Sequence, residues 1–196
     1  MNPPDRQLLD ASAAGDATGV SLALADGADL ETRDELGRTA LLLAALEDQV
    51  STARVLVAAG ADPNAQDDRS DSAFLVTGVT GSVDMLEALL PAHPDPRVRN
   101  RYGGVAVIPA AERGHVEYVR AVLERTDIDV NHVNDLGWTA LLEAVILGDG
   151  GPRHQQIVTI LLEHGADPTI PDKDGVTARD HARRAGYDEI LVRLPR

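Results

Sequence analysis

One short phrase returns five times along this chain, and nothing else in the sequence constrains the fold as tightly. Gly37-Arg38-Thr39-Ala40-Leu41, Ser70-Asp71-Ser72-Ala73-Phe74, Gly103-Gly104-Val105-Ala106-Val107, Gly137-Trp138-Thr139-Ala140-Leu141 and Gly175-Val176-Thr177-Ala178-Arg179 align with one another. Their alanines stand at 40, 73, 106, 140 and 178, so the steps are 33, 33, 34 and 38 residues. A fixed period of this size marks a stack of small structural units, each contacting its neighbours. Such arrays present a long surface to a partner and seldom carry chemistry of their own.

A second phrase follows the first at a set distance. It reads Gly60-Ala61-Asp62-Pro63-Asn64 and Gly165-Ala166-Asp167-Pro168, with Gly27-Ala28-Asp29 as an early copy. Between the two phrases lie two short apolar segments at helical spacing, such as 40–46 and 50–59. Thr39, Ser72, Thr139 and Thr177 are placed to cap the first helix of their units. Gly60 and Gly165 fall just past the second helix, where a left-handed residue closes a helix end. Ala44-Ala45, Ala110-Ala111 and Ala144 supply the small side chains that let helices of adjacent units approach closely.

These glycines, caps, alanine pairs and Gly-Ala-Asp turns recur in register, and the pattern resembles the ankyrin repeat. The resemblance covers about Leu8 to Leu194. It implies an all-α ankyrin-repeat solenoid of six helix-turn-helix units with short hairpin-like turns, forming a single domain over 1–196. The units read as 4–33, 34–66, 67–99, 100–133, 134–171 and 172–196. Asn100–Gly104 and Gly137–Gly151 also resemble a subgroup of bacterial ankyrin-repeat proteins. The end units read as caps. Arg179 occupies the position of Leu41, Phe74, Val107 and Leu141, and Arg183 that of Ala45 and Ala111, giving a polar outer face.

The net charge of −14 excludes some partners. No basic stripe exists to displace counterions from phosphates, so direct nucleic-acid binding is not expected. Every unit is net acidic except the last. The plain reading of such a surface is solubility, and a basic protein partner is the alternative. There is no cysteine, hence no disulfide, thiol chemistry or Cys-ligated zinc. Residues 1–5 show no basic then apolar run, and no apolar stretch is long enough to span a membrane. A cytoplasmic, non-membrane protein is expected.

Motifs for chemistry are weak. Asp172-Lys173-Asp174-Gly175 lacks the glycine and glutamate that a calcium loop needs at its sixth and twelfth positions, which are Thr177 and Arg183. The six histidines, at 93, 115, 132, 154, 164 and 181, contain no pair at metal-ligand helical spacing. No enzyme, cofactor or metal is expected.

The array breaks its own rules in neighbouring units, and local rule-breaking tends to mark sites. The fourth unit has Gly103-Gly104-Val105 where others have a hydroxyl cap, and Pro109 lies inside its first helix, where proline removes a donor and crowds the preceding turn. The fifth carries five extra residues within 147–153, and Pro91, Pro94 and Pro96 shorten the second helix of the third. In the ankyrin repeat, the turn tips and first helices line a concave groove. Carried over position by position, that face holds Arg99, Arg101, Tyr102, Glu112, Arg113, Asp135, Leu136, Trp138, Glu143 and Leu147. Trp138, the chain's only tryptophan, sits on a turn and would anchor a partner, unless it packs against the neighbouring turn. The resemblance therefore implies a module binding a protein or peptide, centred on units four and five. The alternative is small-molecule or ion binding at the Gly-rich loop 147–154, through Asp149, Gly150, Gly151 and His154 together with Glu143.

Overall fold

The computed structural model describes residues 1–195. Its regular structure is helical. Twelve α-helices follow one another in the described residues: α1 (Pro3–Ala14), α2 (Ala17–Ala25), α3 (Ala40–Leu46), α4 (Val50–Ala58), α5 (Ala73–Thr80), α6 (Val83–Leu89), α7 (Val107–Glu112), α8 (Val116–Arg125), α9 (Ala140–Ile146), α10 (Pro152–Glu163), α11 (Ala178–Ala185) and α12 (Asp188–Arg193). A turn of 3-10 helix, Leu90–Ala92, extends α6 into the proline-rich stretch. The chain divides into two compact units, Met1–Arg101 and Tyr102–Arg196. Each contains three helix pairs.

The expected local signals hold. The N–H groups of Leu42, Leu75, Leu142 and Asp180 donate to the hydroxyls of Thr39, Ser72, Thr139 and Thr177 at 3.2, 3.3, 3.2 and 3.3 Å. These caps satisfy backbone donors that a helix leaves open at its start. Gly60 and Gly165 are left-handed, with φ of 96° and 89°. The α7 start has no side-chain cap, as its Gly-Gly-Val phrase implies.

Pro109 does not break its helix. Helix α7 starts at Val107, so Pro109 falls in the first turn, where the missing N–H would have had no intrahelical acceptor.

The turns share one geometry. In four of them an Asp or Asn side chain accepts from the backbone two and four residues on. Asp34 accepts from Leu36 and Arg38, Asp67 from Arg69 and Asp71, Asn134 from Leu136 and Trp138, and Asp172 from Asp174 and Val176. These turns are hairpin-like, yet the one bridge among the described residues outside the helices joins Arg33 and Thr39.

The core is a column of helix contacts in each unit. Leu41, Leu42, Leu56, Phe74, Leu75, Met85, Leu86 and Leu89 are buried in the first. Val107, Tyr118, Val119, Val122, Leu141, Leu142, Ile157, Leu161 and Ile190 are buried in the second. Ala44, Ala45, Ala110, Ala111 and Ala144 are fully buried, as close helix approach demands. Arg179, expected as an outward solubilising residue, instead folds back, its Nη1 donating to the carbonyls of Leu191 and Leu194 at 3.1 and 2.7 Å. It thereby holds the carbonyls at the end of α12 that a helix leaves unpaired.

Candidate functional site

The residues carried over to the groove face divide between the two units. Arg99 and Arg101 belong to the first. The Arg99 carbonyl accepts from Gln66 Nε2 at 2.7 Å, and Arg101 stands 3.8 Å from Asp71. The others all lie in the second unit.

There the two turn tips meet through their backbones, since Asp135 N–H donates to the Tyr102 carbonyl at 2.9 Å. The neighbouring side chains are left in solvent: Tyr102 is 51% exposed and Leu136 is 48% exposed. Leu147, at the far end of α9, is 49% exposed. Arg113 and Asp135 are exposed and Glu112 is half-buried. Trp138 is half-buried, so it neither stands free on the turn nor disappears into the core. Its backbone N–H donates to Asn134 Oδ1 at 3.0 Å.

Glu143 lies deeper than its place on the groove face implies, at 6% exposure. One oxygen accepts from Asn134 Nδ2 at 2.8 Å. Burial, and then the charge of Glu112, push its carboxyl from 4.5 up to about 7, against the opposing effect of the Asn134 amide. Asn134 thus ties three things together: its own turn, the backbone of Trp138 and the carboxylate of Glu143. The same device recurs one repeat on with the chemistry exchanged. Asp172 holds its turn and places Oδ2 2.7 Å from Nε2 of His181, nine residues later. The sequence carried a signal for this. Glu143 occupies the position of Leu43, Val76 and Pro109, an apolar place in the second, third and fourth units.

The Gly-rich loop spends its polar groups on the protein itself. Five extra residues enter as two in the loop, 147–151 against 47–49, and three in the helix, since α10 has 12 residues and α4 has 9. Asp149 Oδ1 accepts from Gly151 N–H at 2.8 Å and lies 2.7 Å from His154 Nδ1. Those contacts hold the Asp149 carboxyl below its usual range, the Gly151 bond contributing most. His154 Nε2 stands 2.9 Å from the Glu112 carbonyl oxygen. Gln155 Nε2 donates to the Gly150 carbonyl at 2.9 Å, and Tyr187 O–H to that of Gly148 at 3.1 Å. The loop is therefore clamped from α7 on one side and from Tyr187 on the other. Glu112 and Tyr187 lie 42 and 39 residues from their partners, so sequence spacing could not reveal the clamp.

Two of the clefts on the described surface can be compared with these residues. One, of about 610 Å³, lies along α1 and includes Arg6, Asp10 and Asp16. The other, of about 260 Å³, lies between Arg120, Gln155, Thr159, Glu163 and Arg193. Neither includes Asp149, Gly150, Gly151 or His154. Among the described residues no group of three or more His, Cys, Asp or Glu side chains is placed to hold a metal ion. No helix among them is long and apolar enough to cross a membrane.

Capped helix pairs joined by Asx-held turns define a helical repeat protein that offers surfaces. The comparisons agree. The ankyrin-repeat family models match residues 74–172, as three copies, and 36–68. The chain is 44% identical over 193 residues to YahD, an ankyrin repeat protein of Escherichia coli K12, covering 98% of this chain and 96% of that one. It superposes on an ankyrin repeat domain from Acinetobacter baumannii AYE with a TM-score of 0.90 at 47% identity, covering 94% of each chain. It also superposes on the ankyrin repeat protein EF0377 with a TM-score of 0.92 at 40% identity, covering 96% of each. The chain belongs to the ankyrin-repeat family, as a bacterial member with the all-α solenoid fold of that family. Ankyrin repeats generally mediate protein–protein interaction, and no catalytic family is indicated for this chain.

Proposed function

We propose that this chain binds a protein or peptide partner through the turn tips and first helix of its fourth and fifth repeats. The site is Tyr102, Asp135, Leu136, Trp138, Glu112, Arg113, Glu143 and Leu147, all in the second compact unit. The observation that supports it most is the exposure of Tyr102, Leu136 and Leu147, three large apolar side chains held at 51, 48 and 49% on two adjacent repeats. Exposed apolar side chains flanked by charged residues are the usual composition of a docking surface. Leu36 is exposed at the equivalent tip in the first unit, but there Arg38 takes the place that Trp138 holds here. No step of catalysis is assigned to any residue.

Site-specific photocrosslinking tests this reading. A benzophenone side chain at position 136, in the full chain expressed in a bacterial cell, is expected to give a discrete protein adduct. The same group at position 156, exposed on α10 away from the tips, is the control. Adducts from position 156 and none from 136 would place the interface elsewhere.

A further inference from the structure

The second helices of the last three repeats form a cleft that the docking surface does not use. Helix α10 lies between α8 and α12 and packs on both. The cleft, of about 260 Å³, follows α10 from Pro152 to Glu163, with Arg120 of α8 on one flank and Arg193 of α12 on the other. The insertion in the fifth repeat builds one end of it. Gly165-Ala166-Asp167 follows α10 as Gly60-Ala61-Asp62 follows α4, so Gln155 takes the place of Val50, the first residue of α4. The turn before it, from Pro152 to His154, is extra, and Pro152 lines the cleft.

The guanidinium groups facing this cleft are not consumed by the protein. Arg120 makes no hydrogen bond or ion pair among the described residues, and the same holds for the side-chain amide of Gln156. Arg193 uses Nη1 alone, on the carbonyl and carboxylate of Glu189, so its Nε and Nη2 stay open. The neutral groups between them are already turned to the protein. Thr159 O–H donates to the Gln155 carbonyl at 3.0 Å, and Gln155 Nε2 to that of Gly150 at 2.9 Å. Glu163 is the one acid in the lining, and it forms no ion pair with either arginine. A metal ion would therefore meet a single carboxylate and two charges that repel it. A guanidinium is a planar fork that fits a carboxylate or a phosphate with two parallel hydrogen bonds. The volume lies just below the roughly 300–1,000 Å³ of sites for drug-sized ligands, which calls for a small molecule.

We infer that this cleft binds a small organic dianion, a dicarboxylate or a phosphate ester, with Arg120 and Arg193 as its anchors and the Gln156 amide as a further donor. Two guanidinium groups on opposite flanks of one helix match two negative charges better than one. The cleft shares no residue with the proposed docking surface, so the two readings stand or fall separately.

Titration calorimetry on the full chain supplies the test, with succinate and ethyl phosphate as probes in chloride buffer at about pH 8, where the phosphate carries close to two charges. One molecule of at least one probe is expected to bind per chain, and the tighter probe tells carboxylate from phosphate. Arg120→Gln and Arg193→Gln are each expected to weaken binding by about tenfold or more. Glu163→Gln removes the opposing charge and is expected to tighten it. Arg54→Gln is the control, since Arg54 is exposed on α4 and lies outside this cleft. It is expected to leave binding unchanged. Melting temperatures of the unliganded variants confirm that each is folded. Neither heat nor a raised melting temperature with millimolar amounts of both probes overturns the inference. So does binding that survives both cleft substitutions, or an equal loss with Arg54→Gln, which would mark a response to net charge alone. Weaker binding in Glu163→Gln overturns the assignment of an anion.

Discussion

At the scale of single residues, Glu143 carries the clearest consequence. Its folded carboxyl titrates near 7 against 4.5 when exposed, so it costs the fold nothing below the lower value. Stability is then lost progressively as pH rises from the lower value to about 7, and the loss is complete above that, because the unfolded chain ionises the group more easily. Glu143→Gln removes that loss and keeps an oxygen for the Asn134 amide. The variant is expected to be more stable than the native chain at about pH 8, by on the order of 1–3 kcal/mol, and to differ little at about pH 4. Urea midpoints at both values check this. The comparison must be between variant and native chain, because carboxylates such as Asp34 and Asp172, held low mainly by hydrogen bonds that outweigh the cost of burial, slope the opposite way. Equal pH profiles for the two proteins would mean that Glu143 titrates alike in the folded and the unfolded chain. Gly150 makes a second residue-level case. Its φ is +67°, and a Cβ there would stand 2.4 Å from the Tyr187 ring. Gly150→Ala is therefore expected to cost about 1–3 kcal/mol through backbone strain and a displaced Tyr187, seen as a lower melting temperature.

Elements are the most legible scale, and the reasons are local. Thr39, Ser72, Thr139 and Thr177 act on backbone groups three residues away, so a hydroxyl before an apolar run is enough to find them. Gly60 and Gly165 are legible because a helix end asks for a left-handed residue. What is not legible depends on interactions between distant parts. The Gly-rich loop reads as a ligand loop from its own residues, whereas the Tyr187 hydroxyl and the Glu112 carbonyl, both far along the chain, hold it in place. Pro109 reads as disruptive because a helix without a cap residue gives no sign of where it starts. Glu143 falls on the expected face of α9, but its depth depends on the packing of α7 and α9. The alanines where helices meet yield the prediction that belongs here. Ala144 is fully buried and α9 packs against α7, α10 and α11. Ala144→Leu has no space to enter and is expected to lower stability by about 1–3 kcal/mol in chemical denaturation. An unchanged midpoint would mean that the alanine register has been assigned to the wrong helix face.

At the scale of the molecule, a repeat protein derives its stability from neighbours, since no single helix pair buries its own apolar face. The last pair, α11 and α12, shows how an array can end. Helix α11 packs on α9 and α12 on α10. Their outer side carries Arg183, Arg184, Asp188 and Glu189 in solvent, while Ala178, Ala182 and Ile190 face inward. Arg179 locks the end of α12 by its bonds to two carbonyls. Removing Asp172–Arg196 would strip this cover from α9 and α10. Ile157, Leu161 and other residues now buried would be opened to water, and Gly148 would be deprived of the Tyr187 hydroxyl that holds the loop. The truncated chain is expected to aggregate or to populate oligomers at concentrations where the full chain stays monodisperse, as size-exclusion chromatography with light scattering would register. Removing only Met1–Pro4 should be far milder. It takes away the N-terminal cap bond from Asp5 N–H to Asn2, but α1 keeps Leu8 and Leu9 in the core. A soluble, monomeric and cooperatively unfolding chain ending at Pro171 would show that α9 and α10 can end the array unaided, and the capping role of α11 and α12 would have to be abandoned.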